Sequence, residues 1–127
     1  MNWNVATKAL IVKDEKVLIL TKTKSILPHL KGLDFPGGRL NLDESPKSGL
    51  KREIKEETGL DVDIIRLVHA TDIFKNEQMR LIGLCYLCRP KSTKIKLSEE
   101  HSTFEWIDIK TAKAELPGWL GEMVNQL

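Results

Sequence analysis

The sequence predicts an α/β fold in which helices pack on the faces of a mixed sheet, and three observations lead to this prediction. Apolar, β-branched runs recur along the chain, as expected of strands. One central segment carries helix start and stop signals at its two ends. The predicted order of elements, β-β-loop-α-β-β-loop-β-α, is typical of domains in which helices cover a sheet.

Length and composition indicate a single domain spanning residues 1–127. The chain has 127 residues, of which 41% are hydrophobic and 30% charged, which is ordinary for a folded domain. A net charge of +2 is too balanced to indicate a nucleic-acid or membrane partner. The sequence has no apolar run of about 18 residues and no signal-peptide layout at its N-terminus, so a cytoplasmic location is expected.

The N-terminal part predicts a hairpin followed by a loop. Two strand-like runs, Val5–Lys13 and Lys16–Thr23, are separated only by Asp14 and Glu15. The next stretch is rich in proline and glycine and predicts mostly loop, with a short extended piece at Leu33–Phe35. The hairpin therefore supplies the first two strands of the sheet.

The central part predicts one helix and two long strands. Ser45 is a good N-cap, Pro46 suits the first helical position, and Gly59 is a natural helix stop. Strand-like runs at 60–74 and 78–90 follow the helix. After a polar loop, a short strand at Phe104–Asp108 and a C-terminal tail that is helical on both sides of a Pro-Gly pair complete the domain.

Two cysteines in the second long strand form a C-x-x-C spacing. Cys85 and Cys88 have no second pair to complete a zinc site. In a strand, a spacing of three sends two side chains to opposite faces of the sheet. We therefore interpret both as reduced thiols packed in the core.

The helix concentrates like charges on one side. At about 100° per residue, Glu53, Glu56 and Glu57 fall on one side, next to the apolar stripe of Leu50 and Ile54. Such like-charge pairs destabilise a helix by roughly 0.2–0.5 kcal/mol each. A divalent cation bound by the carboxylates would offset this repulsion, and Mg²⁺ prefers oxygen ligands of this kind.

Glycines near this helix fit the same interpretation. Gly37 and Gly38 allow the backbone to approach an ion or a phosphate closely. Gly49, in the middle of the helix, leaves room on the acidic side for the preceding loop. These features predict a metal site where the loop meets the helix.

The chain resembles the Nudix family, and in particular its small MutT-type members. Gly38, Glu44 and the run Arg52–Leu60 match every fixed position of the Nudix box, G-x5-E-x7-R-E-U-x-E-E-x-G-U, where U is a bulky aliphatic residue. The box spans residues 38–60, with Ile54 and Leu60 at its U positions. The flanking DFPGG and EEHSTFEWID segments also resemble the family.

The resemblance implies an α/β/α sandwich that hydrolyses a nucleoside diphosphate linked to another moiety with Mg²⁺ or Mn²⁺. It implies that Glu56 and Glu57 bind the metal and that Glu53 is a ligand or the general base. A backbone carbonyl of Gly37 or Gly38 is expected to add a ligand. Arg52 is expected to pair with a box carboxylate and orient it, and Glu44 to cap or brace the loop.

A downstream glutamate is expected to complete the site. Glu100 matches this position of the family, and Glu99 remains the alternative because a loop register of one residue is not fixed by sequence. Glu100 is also the alternative to Glu53 as general base. Among the histidines, His29 has a position from which it could reach a phosphate, and His101 is interpreted as structural.

The substrate is predicted by elimination. The proline that marks many ADP-ribose hydrolases is replaced by Lys75, and the tyrosine of dinucleoside polyphosphate hydrolases is missing from Asn76–Gln78. This favours a (d)NTP, cleaved to the monophosphate and pyrophosphate by a monomer or homodimer. ADP-ribose, a nucleotide sugar, an RNA 5′ end and a catalytically silent nucleotide-binding module remain alternatives. Candidates for stacking on the base are Phe35, Phe74 and Trp119.

Overall fold

The structure is a computed structural model that describes residues 2–22 and 32–127. Thr23, at the end of the predicted hairpin, and His29 lie outside these ranges. The elements are β1 (Asn2–Lys13), β2 (Lys16–Lys22), β3 (Leu33–Asp34), β4 (Gly37–Arg39), α1 (Pro46–Thr58), β5 (Val62–Lys75), β6 (Met79–Pro90), β7 (His101–Asp108), α2 (Ile109–Glu115) and α3 (Gly118–Val124).

A mixed sheet is built around β1, as predicted. β1 and β6 are parallel over ten paired positions, and β5 is antiparallel to β6. β1 pairs with β2 only beside the hairpin turn, at Val12–Val17 and Lys13–Lys16. Beyond that turn β2 pairs instead with β3 and β7. The sheet therefore divides into two halves that diverge from the hairpin.

Two hydrophobic clusters on opposite sides of the sheet make the fold an α/β/α sandwich. Leu50 and Ile54 of α1 are fully buried in one cluster, which also contains Cys88. Leu120 of α3 lies in the other cluster, together with Cys85. The two thiols thus point to opposite faces, as predicted, and burial raises the pKa of each to about 12. Thiols with such pKa values are protonated and unreactive at neutral pH.

The sequence prediction places the start of two strands three residues too late and misses one strand entirely. β1 begins at Asn2 rather than Val5, because β6 runs beside it from its first residue. β7 begins at His101 rather than Phe104, because β2 pairs with it as far as Lys22. Strand β4 was not predicted. It pairs with β1 at three positions where β1 is not paired with β2.

The caps of α1 are as predicted. The Ser45 hydroxyl accepts a hydrogen bond from the Ser48 N–H at 3.3 Å, and Pro46 is the first helical residue. Gly59 ends the helix with φ 74°, and its N–H donates to the Lys55 carbonyl. Among the helices in residues 2–22 and 32–127, none is long and apolar enough to cross a membrane.

Candidate active site

A cavity of about 460 Å³ opens between β1, β4, α1 and α3. One part of its wall is acidic and carries Glu53, Glu57 and Glu100. Another part is apolar and includes Phe74 and Leu81. The cavity therefore combines a group of carboxylates with an apolar surface.

The apolar stripe of α1 brings Glu57 into the interior. Leu50 and Ile54 anchor the helix against the sheet, and the adjacent Glu57 side chain is only 5% exposed. Its Oε1 accepts a hydrogen bond from the Gly37 N–H at 2.8 Å. Glu56, one residue earlier, keeps a side chain that is 60% exposed. The helix thus presents its carboxylates at different depths.

Burial makes the charged form of these carboxylates unfavourable. Burial raises the pKa of Glu57 to about 8, although the Lys8 ammonium and the Gly37 N–H oppose the shift. Burial also raises the pKa of Glu53, against the opposing effect of Arg52. A hard dication would restore the charged form of both groups, so this donor set fits Mg²⁺ or Mn²⁺.

A second, shallower cavity adjoins the first. It is lined by Glu53, Glu56, Glu57, Glu99 and Glu100, so the structure brings together all of the predicted acids. Glu53, Glu57 and Glu100 line both cavities, whereas Glu99 lines only the shallower one. This arrangement favours Glu100 over Glu99 as the downstream acid.

Arg52 connects the loop to the helix, as predicted. Its Nε and Nη2 both donate to the Glu44 carboxylate, and its Nη1 lies 3.1 Å from Glu53 Oε1 and 3.2 Å from Glu56 Oε2. The Asn41 N–H also donates to Glu44 at 3.0 Å. The hydrogen bonds from Arg52 and then from Asn41 lower the pKa of Glu44 to about 2. Glu44 therefore braces the loop as a permanent anion.

Three glycines stand where a side chain has no room. A Cβ on Gly37, whose φ is 137°, would lie 2.0 Å from the Thr7 carbonyl oxygen. A Cβ on Gly38 would lie 2.7 Å from Glu53 Cδ, so Gly38 touches the acidic group directly. Gly49 leaves room for the side chains of Leu40 and Glu44 rather than for loop backbone.

A buried polar cluster beneath the cavity was not predicted as part of the site. Lys8 Nζ lies 2.9 Å from Asp34 Oδ1, and His101 Nε2 lies 3.7 Å from Asp34 Oδ2 and 3.5 Å from Glu57 Oε2. Burial opposes the charge on Asp34, but Lys8, His101 and Lys22 together hold its pKa below the usual value. The detectable signal was Lys8 itself, a lysine in the middle of an apolar strand.

The three candidate base-stacking residues have different environments. Phe74 is half-buried and lines the cavity. Trp119 also lines it but is only 7% exposed. Phe35 is fully buried and packs edge-on against Trp119, with the ring centroids 6.2 Å apart. Phe35 is therefore a core residue, and the expectation that it stacks on a base is not supported.

Comparison with known proteins identifies the family. The family model described as the NUDIX domain matches residues 3–127, so the chain belongs to the Nudix family of hydrolases. A MutT-like protein of Streptomyces ambofaciens is 35% identical over 74 residues, which are 58% of this chain and 46% of that protein. The chain spans less than half the length of the curated relatives it matches.

Solved structures agree on the fold. A MutT NUDIX hydrolase from Burkholderia pseudomallei superposes with a TM-score of 0.85, covering 100% of this chain and 99% of that one at 20% identity. An ADP-ribose pyrophosphatase from Streptococcus suis has a TM-score of 0.74 and 26% identity, covering 97% and 87% of the two chains. The α/β/α architecture is that of Nudix hydrolases.

Proposed function

We propose that this chain is a Mg²⁺- or Mn²⁺-dependent pyrophosphohydrolase that cleaves a (d)NTP to the nucleoside monophosphate and pyrophosphate. One observation carries the proposal. Glu53 and Glu57, whose charges burial disfavours, line the same cavity as Gly38, three lysine or arginine side chains and an apolar wall. Such a cavity suits a metal-bound polyphosphate attached to a base.

The carboxylates are the residues that would hold the metal. When bound, the ion neutralises the phosphate oxygens and makes water a stronger nucleophile. Glu56 and Glu57 are the main ligands in this proposal, with Glu53 beside them. The Gly37 carbonyl oxygen lies 3.5 Å from Lys8 Nζ. This contact supports Gly38 as the residue whose carbonyl adds a ligand.

The remaining polar residues position the reactants. Glu53 or Glu100 accepts the proton of the attacking water, and Arg52 holds Glu53 in place through its contact at 3.1 Å. Lys22 and Arg39 line the cavity with exposed or half-exposed side chains, so they are available to phosphate oxygens. The base lies on the apolar wall that contains Phe74 and Trp119.

The substrate class rests on two lines of support. The subfamily marks for ADP-ribose and dinucleoside polyphosphates are missing at Lys75 and Asn76–Gln78. The similarity to a MutT-like protein favours the MutT-type prediction. A second candidate is ADP-ribose, cleaved to AMP and ribose 5-phosphate. The likeness to the Streptococcus suis ADP-ribose pyrophosphatase favours that alternative.

A nucleotide panel with Mg²⁺ tests the proposal. Each (d)NTP, an oxidised guanine nucleotide, ADP-ribose and a nucleotide sugar are compared by kcat/KM, the ratio that discriminates between substrates. Hydrolysis in ¹⁸O-labelled water identifies the attacked atom, because attack at the α phosphorus places the label in the monophosphate and attack at the β phosphorus places it in the pyrophosphate. EDTA should abolish turnover, and full turnover in excess EDTA would refute metal dependence. A preference of tenfold or more for ADP-ribose would replace the (d)NTP assignment.

A further inference from the structure

Lys8 is a lysine in an unusual place. It occupies the middle of β1, is only 6% exposed, and has fully buried neighbours in Thr7 and Ala9. Lysine is rarely buried unless its ammonium has partners. No residue of the Nudix box explains its presence, because it lies about 30 positions before the box begins.

The hydrogen-bond partners of the Lys8 ammonium all belong to one short segment. Its Nζ lies 2.9 Å from Asp34 Oδ1, 3.4 Å from the Phe35 carbonyl oxygen and 3.5 Å from the Gly37 carbonyl oxygen. The ammonium also lies 5.7 Å from the centre of the Trp119 ring. One side chain thus holds the segment 34–37 against the sheet at three points.

This segment determines the geometry of the acidic group. The Gly37 N–H donates to Glu57, and Gly37 packs so tightly on Thr7 that a Cβ would lie 2.0 Å from its carbonyl oxygen. Gly38 follows directly and contacts the Glu53 carboxylate. A shift of this segment away from β1 would therefore displace the Gly37 N–H that donates to Glu57. It would also move the Gly38 backbone that contacts Glu53.

We propose that Lys8 is a positioning residue for the metal site: its buried ammonium fixes segment 34–37, and through it the Gly37 N–H and the Gly38 carbonyl. This inference rests on the metal site of the proposed function. Lys8 is unsuited to bind phosphate, because its ammonium is already occupied by Asp34 and by backbone carbonyls. Lys22 also reaches Asp34, with its Nζ 3.5 Å from Oδ2, but its side chain is 43% exposed and lines the same cavity.

The test separates positioning from folding. Lys8→Met alone would leave the Asp34 carboxylate buried without its main partner, which is strongly destabilising. The double variant Lys8→Met, Asp34→Asn removes both charges and is expected to fold. Lys13→Met, on the exposed end of the same strand, is the matched control. Thermal unfolding and circular dichroism establish that each variant is folded.

Two measurements on the folded proteins need no substrate. Mn²⁺ binding, followed by the electron paramagnetic resonance of free Mn²⁺, should weaken by about 10- to 100-fold in the double variant and stay unchanged in Lys13→Met. Amide hydrogen exchange of metal-free protein should accelerate by at least about tenfold at Gly37 and remain constant at Gly59, which reports on the helix end.

The outcomes are distinct. A folded double variant with wild-type Mn²⁺ affinity and wild-type Gly37 protection would show that Lys8 serves folding only, and the inference would be overturned. Lys8→Arg, which keeps the charge, should retain Mn²⁺ affinity within about threefold, because cationic donors remain. If Lys8→Arg lost as much Mn²⁺ affinity as the double variant, the positioning inference would likewise be overturned. Failure of the proposed function would instead appear as wild-type protein that binds Mn²⁺ but hydrolyses no nucleotide.

Discussion

Glu44 and Glu57 belong to the same motif and meet opposite surroundings. Glu44 accepts hydrogen bonds from the Arg52 guanidinium and the Asn41 N–H, and its pKa is about 2. Glu57 is buried with a single N–H donor, that of Gly37, and its pKa is about 8. The protein neutralises the first carboxylate with its own cation, whereas the second lacks a full counter-charge.

The contrast separates two uses of an acidic side chain. A carboxylate with an internal cation fixes structure, because its charge is already balanced. A carboxylate that is buried with too few donors is unstable as an anion until a cation arrives from solution. The Glu44 side of the motif is therefore a brace, and the Glu57 side is where an ion is expected to bind.

The largest effect is expected from Glu57→Gln. The amide is isosteric and its carbonyl can still accept from the Gly37 N–H, but it cannot balance a dication. Because metal ions supply several kcal/mol of transition-state stabilisation, kcat should fall by about 10²- to 10⁴-fold. Steady-state kinetics on the best substrate of the nucleotide panel would measure this.

The matching control is Glu105→Gln, an exposed glutamate on β7. It should leave kcat unchanged. At pH 7 the metal-free Glu57→Gln protein should be about as stable as wild type, because Glu57, with a pKa of about 8, is already mostly protonated there. Near-wild-type turnover of Glu57→Gln would mean that Glu57 is not a metal ligand.

A smaller effect on activity is expected from Glu44→Gln, which changes the carboxylate paired with Arg52. Glu44→Gln removes the balancing charge from Arg52, which then holds Glu53 and Glu56 less precisely. Loss of such an orienting partner typically costs about 10- to 100-fold in metal affinity or activity. The measurement is kcat/KM as a function of Mg²⁺ concentration.

Asp72→Asn provides the control for this prediction. Asp72 accepts two hydrogen bonds from Arg80, at 2.6 and 2.8 Å, in a similar pair far from the box. Loss of the Asp72 carboxylate in Asp72→Asn should leave kcat/KM unchanged. If Glu44→Gln behaved like Asp72→Asn, the Arg52–Glu44 pair would be a surface feature without a role in the site.

The pH dependence of stability also distinguishes the two sides. The pKa of Glu57 in the folded protein is about 8, above its ordinary value of 4.5, so its contribution to stability is complete below pH 4.5 and is lost as the pH rises to 8. Metal-free protein should therefore lose stability progressively as the pH rises from 4.5 to 8, and this group should cause no further loss above pH 8. Metal must displace the same proton, so its apparent affinity should fall by about tenfold per pH unit below 8.

Thermal unfolding with and without Mg²⁺ across this pH range is the measurement. Stabilisation by Mg²⁺ should grow as the pH rises. Glu57→Gln removes the titrating group and should flatten the dependence of the metal-free protein. A wild-type curve as flat as that of Glu57→Gln would contradict the raised pKa.

The smallest effect is expected at the N-cap of α1, Ser45, which lies between Glu44 and Glu57 in the sequence. Ser45→Ala removes the acceptor for the Ser48 N–H and should lower the free energy of unfolding by about 1 kcal/mol. Folded protein should keep its kcat, because neither carboxylate moves. Urea unfolding measures the loss, with Ser48→Ala as the control on the same helix. A large fall in kcat would show that the cap orients the acids.

Local features of the sequence predicted the helix and the side on which its glutamates lie. The cap signals at Ser45 and Gly59 are read over a few residues, and the spacing of Glu53, Glu56 and Glu57 follows from helix geometry alone. The missed features depend on residues distant in sequence. β4 exists because β1 offers it a free edge, and His101 meets Glu57 because β7 pairs with β2. No local sequence pattern predicts these contacts between residues that are distant in the chain.

The burial of Phe35 illustrates the same limit. An aromatic residue next to the Pro-Gly-Gly segment fits base stacking and core packing equally well on sequence grounds. Its packing against Trp119, which lies in α3, decides between them. Lys8 is the opposite case, since a charged residue inside an apolar strand run already indicated a buried partner that the sequence did not identify.

The parallel ladder between β1 and β6 affects how the protein is made. Asn2 pairs with Met79, and Ile11 with Cys88, so each partner follows about 77 positions later in the chain. At a ribosomal rate of about 5–20 residues per second, β6 is synthesised roughly 4 to 15 seconds after β1. During that interval the nascent chain displays an apolar strand with one edge unpaired. The candidate site, which is built on β1, is therefore expected to assemble late in synthesis, and chaperones would have those seconds to act on the nascent chain.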